Sequence, residues 1–281
     1  MSLLYAPMRT PPRLSLLALL LLGSSCVSYA APQLASAPPC DDGDYDGDRE
    51  RVCETRTFTL EPRDLTLDAS VNGGVRVEAW DRDAIEVEAT VQAAAPTRAE
   101  ARRLLDATRV ETRGTVRAVS PDTDGRDAWV ATSFVVRVPR ETGLDLEALN
   151  GGIAVEGVAG RIRARTVNGG VALREVAGDV HARTTNGGIS IALAGDAWEG
   201  AGLDVETTNG GISIALPDGY SADLTASTQT GRIAAAGLEA RGARHERGRY
   251  VGESVEGRIG RGGAPIRAVT TNGGVSIRRD R

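Results

Sequence analysis

The chain has no lysine, and several other residue types are scarce. All 33 of its basic residues are arginine, and there are only two Phe and two Met in 281 residues. This usage is typical of coding bias in a GC-rich genome, so the abundance of arginine needs no functional explanation. The net charge is −5 and no stripe of basic residues occurs, which argues against a nucleic-acid partner.

Residues that carry common catalytic and metal-binding chemistry are also few. Aromatic residues make up 4% of the chain, which leaves few stacking platforms for sugars or bases. Two His and three Cys argue against a zinc site, and neither a Gly-x-Ser-x-Gly nor a His-Glu-x-x-His motif occurs. His181 stands where the preceding repeat has Arg163, so it is interpreted as a variable surface residue. We therefore predict a protein that is not an enzyme.

Asparagine occurs in one context only. Each of the six asparagines is followed by Gly-Gly and then by Val or Ile. Asn and Gly are the residues that best tolerate a positive φ, so Asn-Gly-Gly predicts a sharp corner in a β structure. The β-branched residue after it starts a new strand. The corners begin at Asn72, Asn150, Asn168, Asn186, Asn209 and Asn272.

The spacing of these corners distinguishes two architectures. Asn-Gly alone favours a two-residue hairpin, and hence an antiparallel meander. Asn150, Asn168 and Asn186 recur every 18 residues, however, and a fixed period favours a β-solenoid whose coils stack about 4.8 Å apart. The interval before Asn209 is 23 residues, with the excess in 195–201. We favour the solenoid.

Stacked coils would place equivalent residues above one another. The asparagine side chains would then hydrogen-bond from coil to coil as a ladder, which gives a reason for Asn at the corner. A degenerate copy at Gln229-Thr230-Gly231 and a last full copy at 270–277 extend the series. The predicted core consists of the apolar residues after four corners: Ile153, Val155, Val171, Leu173, Ile189, Ile191, Ile212 and Ile214.

Mixed strands are predicted before the repeats, because apolar and polar residues alternate at period two in segments such as 75–80 and 85–91. One helix interrupts them. Thr97-Arg98-Ala99-Glu100 is a capping box that follows Pro96, and it predicts a helix over 97–108. The predicted fold class is all-β with one short helix, in which a β-solenoid-like stack of roughly 18-residue repeats follows mixed strands.

The first 30 residues are typical of a bacterial export signal. Arg9 and Arg13 precede the apolar run Leu14–Leu22, which is too short to span a bilayer. Gly23-Ser24-Ser25-Cys26 resembles a lipobox, in which Cys26 would be lipidated. Ser28-Tyr29-Ala30 resembles an ordinary signal-peptidase site. We favour the lipoprotein interpretation.

An Ala/Ser/Pro tether and an acidic loop would follow over 31–54, and the repeat domain over 55–281. In an exported chain the two remaining cysteines, Cys40 and Cys53, are expected to form a disulfide that closes this loop. Asp-x-Asp-x-Asp-Gly within it matches the first half of a calcium loop, although Cys53 stands where the closing glutamate should be. The candidate calcium ligands are Asp42, Asp44, Asp46 and Glu50.

The chain resembles a known bacterial family in the run Val136-Arg137-Val138-Pro139-Arg140, in Leu144-x-Leu146, and in the repeats Asn-Gly-Gly-Ile-x-Val-x-Gly-Val-x-Gly that follow. These residues are similar to the DUF4097 family of "putative adhesin" domains, and the resemblance covers about residues 55–279. It implies a β-solenoid-like domain in an exported, often membrane-associated envelope protein. The family has no agreed catalytic residues to transfer.

We therefore predict a non-enzymatic protein of the cell envelope, anchored to the membrane by its lipid, that binds or scaffolds an envelope protein or a glycan. One alternative is an envelope-stress accessory protein that works through a partner. Another is a polysaccharide-active β-helix enzyme, which would need carboxylates converged in a cleft. The carboxylates available in the repeats are Glu147, Glu156, Glu175, Asp179 and Asp204.

Overall fold

Two large mixed β-sheets and one helix make up the part of the chain that the structure, a computed structural model, describes: residues 44–45, 49–123, 127–236, 241–247 and 252–279. Each sheet has eleven strands. The elements before the repeats are β1 (Asp44–Tyr45), β2 (Arg49–Leu60), β3 (Leu65–Asp68), β4 (Val75–Trp80), β5 (Ile85–Ala95), α1 (Arg98–Ala107), β6 (Arg109–Glu111), β7 (Val116–Val119) and β8 (Trp129–Pro139).

The repeats supply two strands each, one before and one after the Asn-Gly-Gly corner, and we call such a unit a coil. The strands of this region are β9 (Leu144–Asn150), β10 (Ile153–Glu156), β11 (Ala159–Asn168), β12 (Val171–Arg174), β13 (Ala177–Asn186), β14 (Ile189–Ala192), β15 (Gly202–Asn209) and β16 (Ile212–Leu216). The remaining strands are β17 (Ala222–Thr230), β18 (Ile233–Ala236), β19 (Arg241–Arg247), β20 (Glu253–Ile259), β21 (Pro265–Asn272) and β22 (Val275–Arg279).

Successive coils pair in parallel and in register, which excludes the hairpin meander for the repeats. In the first sheet Ile153, Val171, Ile189 and Ile212 lie side by side on neighbouring strands. In the second sheet the strands before each corner pair in the same way. All eight predicted core residues after the corners are buried, none more than 2% exposed. The inner faces of the two sheets thus form one core between them.

The six corner asparagines form the predicted ladder. The Nδ2 of Asn150 donates to the Oδ1 of Asn72 at 3.3 Å, and that of Asn168 donates to Asn150 at 2.8 Å. The next three bonds, Asn186 to Asn168, Asn209 to Asn186 and Asn272 to Asn209, are each 2.9 Å. Every bond has the same direction, so the amide dipoles of the ladder are aligned.

The reason for glycine at the corners is only in part the predicted one, since among the first glycines of the six full corners only Gly73 and Gly273 have positive φ. Among the described residues other than glycine, only Ser70 and Glu175 have positive φ, so no corner asparagine is left-handed. Close approach between coils is decisive instead. A Cβ on Gly169 would lie 2.0 Å from the carbonyl oxygen of Gly151, and one on Gly187 would lie 2.0 Å from that of Gly169. The first glycine of a corner is needed because the next backbone occupies the space of a side chain.

The ladder makes a prediction for Asn168→Ala. This substitution removes the bond to Asn150 and the bond from Asn186. Because all three side chains are exposed and water replaces part of each bond, we expect the free energy of unfolding to fall by about 1–2 kcal/mol in urea denaturation. Thr185→Ala, on the exposed side chain beside the ladder, is the control. Equal stability of the two variants would show that the ladder contributes nothing.

The coils are not stacked in sequence order. The last full copy, β21 and β22, lies directly beside β15 and β16, and the degenerate copy, β17 and β18, lies outside it. The hairpin of β19 and β20 then extends the second sheet beyond β17. At the other end the corner at Asn72 stacks on that of Asn150, although 78 residues separate them.

The five-residue excess before Asn209 contributes to the core. Trp198 lies within the excess segment, is 7% exposed, and donates its indole Nε1–H to the carbonyl oxygen of Gly178 at 3.0 Å. Tyr220, also in the core cluster, is 3% exposed. The longer connection therefore places a large aromatic side chain over the core.

The predicted helix is confirmed as α1, with Thr97 as its N-cap. The Oγ1 of Thr97 accepts the backbone N–H of Glu100 at 3.3 Å, and Ala101 and Leu105 are its buried residues. They pack with β2 and β5 in a second, smaller core. The strand β2 begins at Arg49, earlier than the predicted start of the domain at 55, because it pairs with β5 as far as Ala95.

Candidate functional site

A long groove crosses the outer face of the second sheet. It has a volume of about 740 Å³ and runs across the strands from the end of β3 to β15. Strand alternation builds it, because residues at even spacing along each strand point away from the core. Its lining residues are Asp68, Ser70, Val71, Glu147, Ala148, Leu149, Arg165, Thr166, Val167, Arg183, Thr184, Thr185, Glu206 and Thr208.

One wall of the groove is a row of paired charges. The Nη1 of Arg165 lies 3.1 Å from the Oδ1 of Asp145 and 3.0 Å from the Oε1 of Glu147. The Nε of Arg183 lies 3.4 Å from the Oε2 of Glu206. All five side chains are roughly half exposed, so each pair contributes about 0.2–1 kcal/mol at most. Their main effect is to fix where charge is presented.

A second charged row lies beside the first and is centred on Asp204. This carboxylate lies 2.6 Å from the Nη1 of Arg267, 3.6 Å from the Nδ1 of His181 and 4.0 Å from the Nη2 of Arg183. The Nε2 of His181 is also 3.0 Å from Asp179. His181, which the sequence suggested to be a surface position without a role, therefore lies between the carboxylates of Asp179 and Asp204 on this face.

The other wall is apolar and coincides with the residue before each corner. Among the described residues the exposed large hydrophobic side chains are Val71, Leu149 and Val167, at 57%, 41% and 39% exposure. All three line the groove, and Thr185 and Thr208 continue the row. Three neighbouring exposed apolar side chains beside a charged row are typical of a surface that contacts a partner.

Sequence reasoning missed this groove, although a signal was present. The residues before the six asparagines are Val, Leu, Val, Thr, Thr and Thr. Strand alternation places that residue on the outer face, where apolar residues are not expected. The three apolar members are spread over a long stretch of chain, and only the stacking of Asn72 on Asn150 brings them together.

The five carboxylates that the enzyme alternative would need do not lie together on one face. Glu147, Asp179 and Asp204 lie on the outer face of the second sheet, and each is paired with an arginine or with His181. Glu156 ends β10 in the first sheet, and Glu175 lies in the turn after β12 with a φ of 51°.

The predicted calcium, disulfide and lipid sites fall largely outside the described residues. Cys26, Cys40, Asp42 and Asp46 lie there. Asp44 of β1 pairs with Glu50 of β2 in an antiparallel register. Cys53 lies in β2 rather than in a loop. The calcium site, the disulfide and the lipid anchor stay predictions.

Other chemistry in the described part of the chain is sparse. There, no three His, Cys, Asp or Glu side chains are grouped so that they could hold a metal ion. Burial, with smaller contributions from Glu199 and Asp196, raises the pKa of Tyr220 to about 12. That phenol is neutral at physiological pH and lies away from the groove. The helix of this part, ten residues long, falls short of what a membrane crossing requires.

Comparisons with known proteins give structural neighbours but no family. No family model and no curated protein matches the chain, so the likeness to the DUF4097 family stays a resemblance. A "putative cell adhesion protein" from Clostridium sporogenes is 11% identical with a TM-score of 0.44, over 81% of this chain and 100% of that chain.

Two further solved structures are less similar. A "putative adhesin" from Bacteroides fragilis is 9% identical with a TM-score of 0.31, over 81% of this chain and 97% of that chain. A "putative lipid binding protein" from Parabacteroides distasonis is 14% identical with a TM-score of 0.28, over 84% and 98%. Identities and TM-scores this low assign no function to the chain.

Proposed function

We propose that this chain is a non-enzymatic binding protein of the bacterial cell envelope, and that the groove on the second sheet is its binding surface. The observation that carries the proposal is the coincidence of the three exposed apolar side chains, Val71, Leu149 and Val167, with the groove. Apolar area that stays in water without a partner has no stabilising role in the folded chain. Its concentration beside fixed charges is best explained by a partner that covers it.

The form of the chain fits this role. The in-register stack resembles a β-solenoid, in which the core residues and corners fix the backbone while the outer residues are free to vary. A groove on such a face is rigid, so a partner binds without ordering a loop. We propose further that the protein is exported and held at the membrane by a lipid on Cys26, with the Ala/Ser/Pro-rich residues 27–39 as the tether between anchor and domain.

The polysaccharide-active alternative is less well supported. General acid and base groups must face the same bond at hydrogen-bond distance. The carboxylates of the groove face, such as Glu147 and Asp204, are instead paired with Arg165 and Arg267 and do not face one another across a cleft. Glu156 and Glu175 lie elsewhere.

The proposal predicts that charge placed in the apolar wall abolishes binding. The double variant Leu149→Glu and Val167→Glu should reduce retention of the purified, fluorescently labelled mature protein on isolated bacterial envelopes by roughly tenfold or more, because it removes central apolar contacts and buries a charge. Thermal unfolding should change little, since both side chains are exposed.

The matched control adds two glutamates to the outer face of the first sheet, as Ser190→Glu and Ser276→Glu. Both serines alternate with buried core residues and point outward. Retention of this control should equal that of the unmodified protein. If both double variants lose retention equally, or neither does, the groove is not the binding surface.

A further inference from the structure

The groove ends in a separate cavity where the stack of coils begins. This cavity has a volume of about 490 Å³ and shares Asp68, Ser70 and Val71 with the groove. Its far walls come from β7 and residues 120–123 after it, and from Val130 and Thr132 of β8. The first corner of the chain, at Asn72, lies on its rim.

The backbone at this place is held in an unusual conformation. Ser70 has a φ of 61°, in the left-handed region that a residue with a side chain rarely adopts. Its N–H donates to the Oδ1 of Asp68 at 2.7 Å, and its Oγ donates to the carbonyl oxygen of Ala118 at 2.9 Å. Such strain persists only where surrounding contacts determine it, and it is concentrated at functional positions.

The asparagine ladder ends on this cavity with a donor. Each later corner asparagine donates its Nδ2 to the asparagine before it, but Asn72 has no asparagine before it. Within the described residues the Nδ2 of Asn72 therefore has no acceptor. The amides of the ladder share one direction, and hydrogen bonds in a chain polarise one another, so the terminal N–H group is a strengthened donor.

A second unpartnered group lies on the same wall. Thr132 is 3% exposed, and its Oγ1 is buried with no hydrogen-bond partner in the described structure. Its own N–H donates to the carbonyl oxygen of Asn72 at 2.9 Å, which fixes the two residues side by side. A buried hydroxyl without a partner destabilises the fold, so a ligand that hydrogen-bonds to this hydroxyl would stabilise the protein.

The remaining lining selects the class of ligand. Arg117 is already paired with Glu111 at 2.8 Å, while the carboxylates of Asp68 and Asp122 also line the cavity. An anion is therefore disfavoured. The lining offers donors from an amide and a hydroxyl and acceptors from carboxylates. Alcohol groups, which both donate and accept, match that set.

We propose that this cavity binds a residue of a neutral saccharide, with the Asn72 amide and the Thr132 hydroxyl bonded to its hydroxyl oxygens; this rests on the groove being a binding surface. The spacing of the groove favours a saccharide over an extended peptide. In an extended peptide the side chains on one face are about 6.6 Å apart, whereas the coils that line the groove are about 4.8 Å apart, so such a peptide would not match successive coils. A pyranose unit is close in length to the coil spacing, so successive sugar residues would.

Hydrogen bonds rather than stacking would carry the affinity. Among the described residues, no aromatic ring lines either the cavity or the groove. We therefore expect dissociation constants in the millimolar range for short oligosaccharides, and tighter binding for longer chains that also lie along the groove.

The test uses the mature chain with chitohexaose and cellohexaose as probes, followed by calorimetry and by the NMR signals of the side-chain amides. Titration should shift the Asn72 amide signal before those of the asparagines inside the ladder. Asn72→Asp keeps the oxygen that accepts from Asn150 and removes the outward donor. It should weaken binding by roughly tenfold while the melting temperature stays the same.

Thr132→Val separates a binding role from a structural one. The change removes a buried hydroxyl that has no partner, so the melting temperature should rise while saccharide binding weakens. Thr225→Val, on an exposed side chain of β17 that lines neither the cavity nor the groove, is the control and should leave affinity unchanged. A Thr132→Val protein with raised stability and unchanged affinity would overturn the role of Thr132 as a ligand contact.

The outcomes distinguish this inference from the proposed function. If neither hexasaccharide binds, the saccharide site is wrong, while retention on envelopes still tests the groove. If a hexasaccharide binds but Asn72→Asp and Thr132→Val have no effect, the ligand occupies another place and the inference falls. If the groove variants do not change retention on envelopes but saccharide binding depends on Asn72, the cavity is a binding site and the groove is not the surface that binds the envelope.

Discussion

Gly187→Ala is expected to lower the free energy of unfolding by about 3 kcal/mol or more. A Cβ at this position would lie 2.0 Å from the carbonyl oxygen of Gly169 and 2.5 Å from its carbon. Both are backbone atoms of the coil below, which cannot rotate away. The methyl group therefore forces two coils apart in the middle of the stack.

Gly188→Ala, one residue later in the same corner, is the matched control. Its Cβ would meet the carbonyl oxygen of Gly211 at 3.3 Å, which a small shift relieves. Neither glycine has a positive φ in the left-handed region, so backbone preference does not separate them. The lower entropy of alanine in the unfolded chain offsets part of the cost at Gly188, and we expect a loss of about 1 kcal/mol or less.

Urea denaturation of both variants decides the matter. A difference of about 2 kcal/mol or more between them would establish close approach of the coils as the reason for the first glycine. Equal losses would mean that the coils are further apart at this corner than the structure shows.

The second large effect is expected at Glu253, whose side chain completes the last coil. In the inner coils the first residue after a corner donates its N–H to the next coil: Ile212 to Gly274 at 2.9 Å, and Val275 to Arg232 at 3.0 Å. Strand β18 is at the edge of the first sheet, so Ile233 has no next coil. The Oε2 of Glu253 accepts the Ile233 N–H instead, and Glu253 is 6% exposed.

Glu253→Ala should therefore destabilise the protein by about 2–3 kcal/mol, since it leaves a buried N–H without an acceptor. Glu253→Gln retains a carbonyl oxygen that can accept the same N–H, so its loss should be smaller. Glu256→Ala, on an exposed side chain of the same strand, should have almost no effect.

Chemical denaturation, with hydrogen exchange at Ile233, measures this end of the stack directly. Protection of the Ile233 amide should fall in Glu253→Ala before protection in the inner coils does. A variant with unchanged stability and unchanged Ile233 protection would show that the carboxylate is not the cap. If the capping is real, β18 and the β19–β20 hairpin end the stack in the way that natural proteins protect sheet edges.

Local sequence patterns predicted much of the fold because they report local constraints. The capping box at Thr97 fixes the start of α1, since its hydroxyl accepts a free N–H of the first turn. The period of 18 residues predicted parallel stacking and the asparagine ladder, since only equal coils superimpose their corners. The alternation in 75–80 predicted that Val75 and Val77 of β4 face the core.

The candidate site could be predicted less well, because it depends on which coils become neighbours. Considered alone, Val71 and Leu149 are each an ordinary apolar surface residue. They indicate a binding surface only because both line the same groove. The reason for the first glycine was also misjudged at the four corners where its φ is not positive. A preference for positive φ is a property of one residue, whereas the distance to the coil below is a property of the stack.

The amino-acid pattern alone specifies the repeating unit: a strand, an Asn-Gly-Gly corner and a second strand, with core residues and a ladder asparagine at fixed positions. The order of the units depends on contacts between them. The copy at 270–277 inserts between those at Asn209 and Thr230, because its full corner continues the asparagine ladder and Thr230 cannot. The degenerate copy is left at the end, where a buried glutamate takes the place of the next coil. Repeats of nearly equal sequence stack with nearly equal energy, so the chain's connections and its imperfect copies choose the order.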